Sequence, residues 1–191
     1  MEIKVLGHAS VLVHGSKIIY IDPYVLPDNS EKADIVIFTH GHYDHCVDPK
    51  SIMKTDTICI GCNCKYSQVT VKPGEVKEIN GVKLEFVHAY NLDKEFHKKG
   101  DGVGVIINLD GQRIYHAGDT DLIPEFENIK NIDVALLPIG GTFTMNIDEA
   151  VKAFKIINPK KVIPIHYNTF DKIKCNVDDF LEMTKTTEPV Q

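Results

Sequence analysis

The nine residues "FTHGHYDHC", Phe38 to Cys46, carry His40, His42, Asp44 and His45 within six consecutive positions. They follow "ADIVIFT", Ala33 to Thr39, a short apolar run rich in β-branched residues that reads as a buried strand. The cluster therefore leaves the C-terminal end of a strand and enters a loop, where a rigid scaffold can aim side chains into a shared space. His40 and His42 are two residues apart, so in extended backbone they project to the same side and can grip one ion together. Gly41 helps the chain to turn, and Asp44 and His45 can then reach a second ion nearby. Imidazole nitrogen and carboxylate oxygen suit zinc, manganese or iron. A polar loop with chance histidines would account for one His, but not for three His and one Asp in six positions.

Upstream of the cluster, "EIKVLG", "SVLVHG" and "KIIYID" read as three short strands, with a hairpin signal at Gly15-Ser16. His8 lies in the first turn, and Asp22 ends the third strand before Pro23. Downstream, "DPKSIMKT" can form a short helix and "DTICIGC" a strand. "EVKEI", "VKLEFVHAY", "GVGVIINLD" and "QRIYHAG" read as four further strands. The turns Asn80-Gly81 and Asp110-Gly111 make Glu75 to Gly118 an antiparallel meander. The long polar loop Asn91 to Gly102 inside it is a candidate for part of an active-site mouth. It contains His97, and His88 stands just before it; both compete for the place of a further ligand.

Asp119 follows Gly118 at a strand end, where a carboxylate can bridge two cations. Asp119, Thr120 or Asp121 could also cap a helix through "DLIPEFENI". His116 is read as standing behind the site. The second half changes period. "IDVALLPI" is a continuous apolar strand, and "IDEAVKAFKIIN" has one apolar face at Ile147, Ala150, Val151, Phe154 and Ile157. Asn146 with Glu149 forms a capping-box pattern, and Asn158-Pro159 stops the helix. "KKVIPIHY" closes a βαβ unit and ends at His166. "VDDFLEMTK" reads as a C-terminal helix.

The chain has 191 residues, 43% hydrophobic and 25% charged, enough for one domain over residues 1–191. The net charge of −6, without a Lys/Arg run, gives nucleic acid no electrostatic support. With no apolar stretch long enough for a membrane span and no signal-peptide pattern, the expectation is a cytoplasmic protein. The five cysteines, Cys46, Cys59, Cys62, Cys64 and Cys175, argue in that setting against a disulfide framework. "CIGCNC" contains a C-x-x-C, but no second one completes a four-ligand zinc site, so reduced thiols are expected. Cys46, directly after His45, either lines the site or fills an apolar position.

"LGHAS", "IDP", "THGHYDH", "YHAGDTD", "LLPIGGTFTMN" and "IPIHY", in this order, resemble the metallo-β-lactamase superfamily. The likeness is to its small metal-dependent hydrolase branch, the L-ascorbate-6-phosphate lactonase group, and runs from about Val5 to Tyr167. Periodicity alone gives α/β or α+β. The resemblance implies an α+β chain folded as a four-layer αβ/βα sandwich. It further implies two divalent metal ions, zinc first, then manganese, iron or nickel. His40, His42 and His97 would hold one, Asp44, His45 and His166 the other, with Asp119 between them. The family-like "FHKKG" favours His97 over His88.

The implied reaction is attack of an ion-activated hydroxide on a small polar ester, lactone or phosphate ester. Asp44 and His8 would be the catalytic residues, His8 touching substrate or the leaving group. A nuclease or phosphodiesterase and a non-catalytic metal-binding module are the alternatives. The expected partner is a small-molecule substrate, with neither nucleic acid nor membrane, and a homo-oligomer stays open.

Overall fold

The computed structural model describes residues 1–185. The chain enters through β1 (Glu2–Gly7), β2 (Ser10–His14) and β3 (Ile18–Ile21), followed by β4 (Ile35–Phe38), β5 (Ile58–Gly61) and β6 (Val69–Thr70). These six form one sheet in sequence order, antiparallel from β1 to β3 and parallel from β3 to β6. The meander β7 (Val76–Ile79), β8 (Val82–Ala89), β9 (Gly102–Leu109) and β10 (Gln112–His116) opens a second sheet, as its turn residues predict. β11 (Val134–Pro138) and β12 (Lys161–Ile165) complete it in parallel around α1 (Ile147–Ile157). α2 (Val177–Thr184) closes the described chain. β6, only two residues long, has no counterpart in the sequence reading.

Side-chain alternation explains how the sheets pack. In β4, Ile35 and Ile37 point at the other sheet, while Val36 and Phe38 point outward. The inner layer joins Val11, Ile19, Ile37 and Ile60 to Leu84, Phe86, Val105, Ile107 and Leu136. Each such side chain, fully removed from water, contributes roughly 1.5–3 kcal/mol. The outer face of the second sheet carries α1 and α2 through Ala150, Val151, Ala153, Ile157, Phe180 and Leu181. α1 starts with the expected capping box, Asn146 and Glu149 each bonding the other's backbone N–H, and ends at Asn158 in the left-handed region.

The helical layer over the first sheet is thinner than a regular four-layer arrangement. "DPKSIMKT" forms only the 3₁₀ turn Lys50–Ile52. The Ile52 carbonyl accepts from Ala33 N at 2.7 Å, which holds the chain to the strand entry rather than to a further helical turn. The expected helix through "DLIPEFENI" is also only a 3₁₀ segment, Pro124–Asn128, with no side-chain cap. Pro124 biases the residue before it away from helical backbone, and Ile123 is extended (φ −97°, ψ 150°), so the segment starts at Pro124 rather than at Asp121.

The reduced-thiol reading is corrected at two positions: Cys46 and Cys64 form a disulfide, 18 residues apart in sequence. The parallel pairing of β4 and β5 brings the loops after both strands side by side, and sequence spacing does not reveal that approach. Cys59, Cys62 and Cys175 are free thiols. No described helix is long and apolar enough to cross a membrane.

Candidate metal centre

Six chain segments deliver the chemistry-bearing residues to one edge of the sandwich. His8 sits between β1 and β2, Asp22 follows β3, and His40 to His45 follow β4. His97 lies between β8 and β9, Asp119 follows β10, and His166 follows β12. The two sheets are tied together at this edge. Thr39 O accepts from Val103 N at 2.9 Å, His40 bridges Gly102, and His8 O accepts from His166 N at 2.8 Å. His8, Asp22 and His166 all adopt positive φ, 54°, 45° and 55°. Such backbone is uncommon outside glycine and concentrates where a side chain must be aimed. Gly118 (φ 66°) lets the chain pass so close to Val103 O that a Cβ would stand 2.6 Å from it; Asp119 is the next residue.

Asp119 is the centre of the arrangement. Its Oδ2 lies 3.1 Å from His97 Nε2, 3.1 Å from His166 Nε2 and 3.9 Å from His40 Nε2, and its Oδ1 lies 3.4 Å from His45 Nε2. Donor atoms of His40, His42 and His97 form one close group, and those of His8, Asp44, His45 and His166 another. His40, His45 and Asp119 form a third, in which Asp119 meets a member of each. Among the described residues, no such group contains His88, which stands on β8 with its ring edge against Tyr90.

The ring orientations follow from the partners. Asn91 Nδ2 donates to Asp121 Oδ1 and to the Phe143 carbonyl, so its other side-chain atom is the acceptor oxygen. That oxygen takes both the His97 backbone N–H and His97 Nδ1–H at 3.0 Å, leaving Nε2 facing Asp119. His45 Nδ1–H donates to Asp22 Oδ2 at 2.7 Å, and Nε2 again faces Asp119. Asp22 also accepts from Thr39 N and Thr39 Oγ1 at 2.7 and 2.6 Å, so the orienting carboxylate is itself held. Such outer partners fix tautomer and direction in metal sites. His116 stands behind, donating from Nε2 to Ala9 O and accepting the Gly118 N–H.

His8 lines neither cavity of the mouth. Its Nε2 meets Asp44 Oδ2 and its Nδ1 meets Thr169 Oγ1, both at 3.2 Å. The geometry favours His8 as a support for Asp44 over the substrate contact expected from sequence. Asp121 does not cap a helix. It accepts from Leu92 N, Asn91 and Lys94, and so anchors the loop that carries His97.

The electrostatics point the same way. Burial, then the charge of His45, push His40 well below the usual histidine range. Burial followed by His97 lowers His42. Burial opposes charge on His45, but Asp119 and Asp22 outweigh it and raise its pKa well above the usual value. Burial likewise opposes charge on Asp119, yet His166 and His45 hold its carboxyl well below the carboxylate range. His45 Nε2, His166 Nε2 and Asp119 Oδ1 are buried and without a hydrogen-bond partner. Buried polar atoms are almost always partnered, so three converging orphans mark a place for a cation. Imidazole and carboxylate donors fit a divalent transition metal.

The sequence profile of the beta-lactamase superfamily domain matches residues 2–166. A metal-dependent hydrolase of Thermoplasma volcanium, of the group designated UPF0173, is 33% identical with full coverage of both chains. The chain belongs to this family of the metallo-β-lactamase superfamily. A further UPF0173 metal-dependent hydrolase, from Methanosphaerula palustris, is 38% identical over 97% of this chain and 92% of its own. Among solved structures, the metallo hydrolase Igni18 of Ignicoccus hospitalis superposes with a TM-score of 0.82. It is 28% identical, and the alignment covers 99% of this chain and 95% of Igni18. The UPF0173 protein described here is thus a metal-dependent hydrolase with the metallo-β-lactamase fold.

Proposed function

We propose that this UPF0173 hydrolase acts on a small ester, lactone or phosphate ester with two divalent ions, zinc or manganese first. His40, His42 and His97 would hold one, Asp44, His45 and His166 the other, and Asp119 would reach both. The observation that carries this reading is the Asp119 carboxylate, buried with Oδ1 unpartnered and within 3.9 Å of four imidazole nitrogens from three different segments. Bound ions in such a site lower the pKa of water and polarise the electrophile.

The chain's own residues supply the rest. Asp22 and Asn91 keep His45 and His97 turned with Nε2 inward. Asp44, held below the usual carboxylate range by its bond to His8 despite burial, stays ionised to accept a proton or bind a cation. His8 holds Asp44 from behind. The Asp119 charge offsets the repulsion between two dications, which no neutral side chain could do. The cavities over the site, 320 and 240 Å³, are of a size that suits a small molecule.

The test is reconstitution with zinc or manganese followed by a screen of esters, lactones and phosphodiesters, with Asp119→Asn alongside. Turnover that needs metal and falls by orders of magnitude in Asp119→Asn is expected. Turnover undiminished by a chelator, or undiminished in Asp119→Asn, would refute the reading.

A further inference from the structure

The mouth of the site has one aromatic wall and no cation. The 240 Å³ cavity in front of Asp44 and His166 is walled by Tyr43, Phe96, Phe143 and Phe170. Phe96 and Phe143 meet edge to face at 4.7 Å, and come from loops far apart in sequence. Tyr43 is 71% exposed and Phe96 49%, and Leu92 on the same loop as Phe96 is 53% exposed. Large apolar side chains left in water side by side mark a surface that takes an apolar group. The adjoining 320 Å³ cavity shares His42, Phe96, His97 and Asp119 with it, and adds Asn63 and Asp101.

Among the described residues, no lysine or arginine lines either cavity. Of the three lysines on the loop beside the wall, Lys98 is exposed and lines neither cavity, and Lys94 is drawn away to Asp121 Oδ1 at 2.6 Å and to the Thr144 carbonyl at 2.7 Å. Lys99 is paired with Glu125 at 2.7 Å. Apart from the candidate ligands, the charged lining residue is Asp101, an acid. A phosphate or carboxylate held at a distance from the reacting group needs Arg, Lys or a cluster of backbone donors. Here it would lose its water against phenyl rings or face a carboxylate of the same sign.

We propose that the substrate is a neutral carboxylic ester or lactone bearing an aromatic or aliphatic group, seated on Phe96, Phe143 and Phe170. A distal phosphate is excluded. This separates the protein from the sugar-phosphate lactonases that its motifs resemble, and it rests on the hydrolase reading above. In the reaction, water adds its oxygen to the acyl carbon and the acyl C–O bond breaks. The departing oxygen keeps the electron pair and takes a proton from that water, giving one acid and one alcohol, joined in one molecule when a lactone opens.

The test uses three p-nitrophenyl esters with the same leaving group: butyrate, 4-phenylbutyrate and 4-phosphonobutyrate. The metal-loaded protein should prefer the phenyl ester over plain butyrate by about tenfold in KM, the scale of one or two aromatic contacts. It should cleave the phosphono ester less well than plain butyrate. Phe143→Ala and Phe170→Ala should each shrink the phenyl-to-plain ratio while keeping the metal content. A phosphono ester cleaved as well as the plain one, or a ratio unmoved in both variants, overturns the proposal and leaves the hydrolase reading intact. If none of the three esters is cleaved, the hydrolase reading is decided by the wider screen above, and binding of neutral 4-phenylbutyramide decides the substrate class. Shifts of the Phe96, Phe143 and Phe170 ring signals in NMR, lost in Phe143→Ala, sustain it. No shift, or equal binding of glucose 6-phosphate, overturns it.

Discussion

Replacing Asp22 by Asn changes one oxygen to an NH₂ and tests how far the site depends on residues that touch no ion. Asp22 is fully buried and accepts three hydrogen bonds, from Thr39 N, Thr39 Oγ1 and His45 Nδ1. Asn keeps one acceptor, which the Thr39 backbone N–H claims. The Thr39 hydroxyl can rotate and accept from the new NH₂. His45 Nδ1–H cannot, and is left facing a donor in a dry site. The loss of one charge-assisted bond costs about 1.5–3 kcal/mol of stability. The freed ring no longer presents Nε2 to Asp119, so metal affinity should fall about 10–100-fold, the usual effect of removing an outer carboxylate partner. Asp121→Asn is the control: another buried acid with three partners, which steadies the loop of His97 rather than a ring. Urea denaturation gives the stability term, and titration against a chelating indicator gives the affinity. Wild-type metal affinity in Asp22→Asn, or an equal loss in Asp121→Asn, would refute the reasoning.

Unfolded without reductant, the protein should show only the thiols of Cys59, Cys62 and Cys175 to a thiol reagent, and Cys64→Ser should cost about 3 kcal/mol for a closed loop of 18 residues; four or five reactive thiols would contradict this. Burial opposes charge on Glu85, but its bonds to Arg113, Asn108 and Lys83 outweigh that and bring its pKa from 4.5 down to about 2. Its folded value lies below its unfolded one, so its contribution to stability is complete above 4.5 and is lost as pH falls towards 2. Glu85→Gln should flatten the acid limb of a stability–pH curve in that window, and an unchanged limb would contradict the assignment. His97→Ala should weaken metal binding far more than His88→Ala, as judged by the same indicator titration, since only His97 faces Asp119.

The gathering of His40, His42, Asp44 and His45 was legible because they lie within six residues: His40 Nε2 and His42 Nδ1 stand 3.1 Å apart, across bends at Gly41 and His42 rather than on extended backbone. The capping box at Asn146 and the meander turns at Asn80 and Asp110 are local for the same reason. What escaped depends on contacts between distant segments. Asp121 looked like a helix cap by its neighbours in sequence, yet its partners Asn91, Leu92 and Lys94 lie about 30 residues earlier. The Cys46–Cys64 bridge depends on parallel pairing of β4 with β5. The aromatic wall is assembled from Tyr43, Phe96, Phe143 and Phe170, each unremarked in its own loop. The resemblance of "LGHAS" brought His8 to the site, but only the sheet-to-sheet bond from His166 N to His8 O reveals that its ring stands against Asp44.

The most direct measurement is the metal content of the purified protein, by mass spectrometry on chains prepared without chelator and reloaded with zinc or manganese. Two ions per chain are expected for the wild type and at most one for Asp119→Asn, whose side chain can no longer serve both groups. A wild-type protein that binds none, or that binds one ion unaffected by Asp119→Asn, would contradict a two-ion centre built around Asp119.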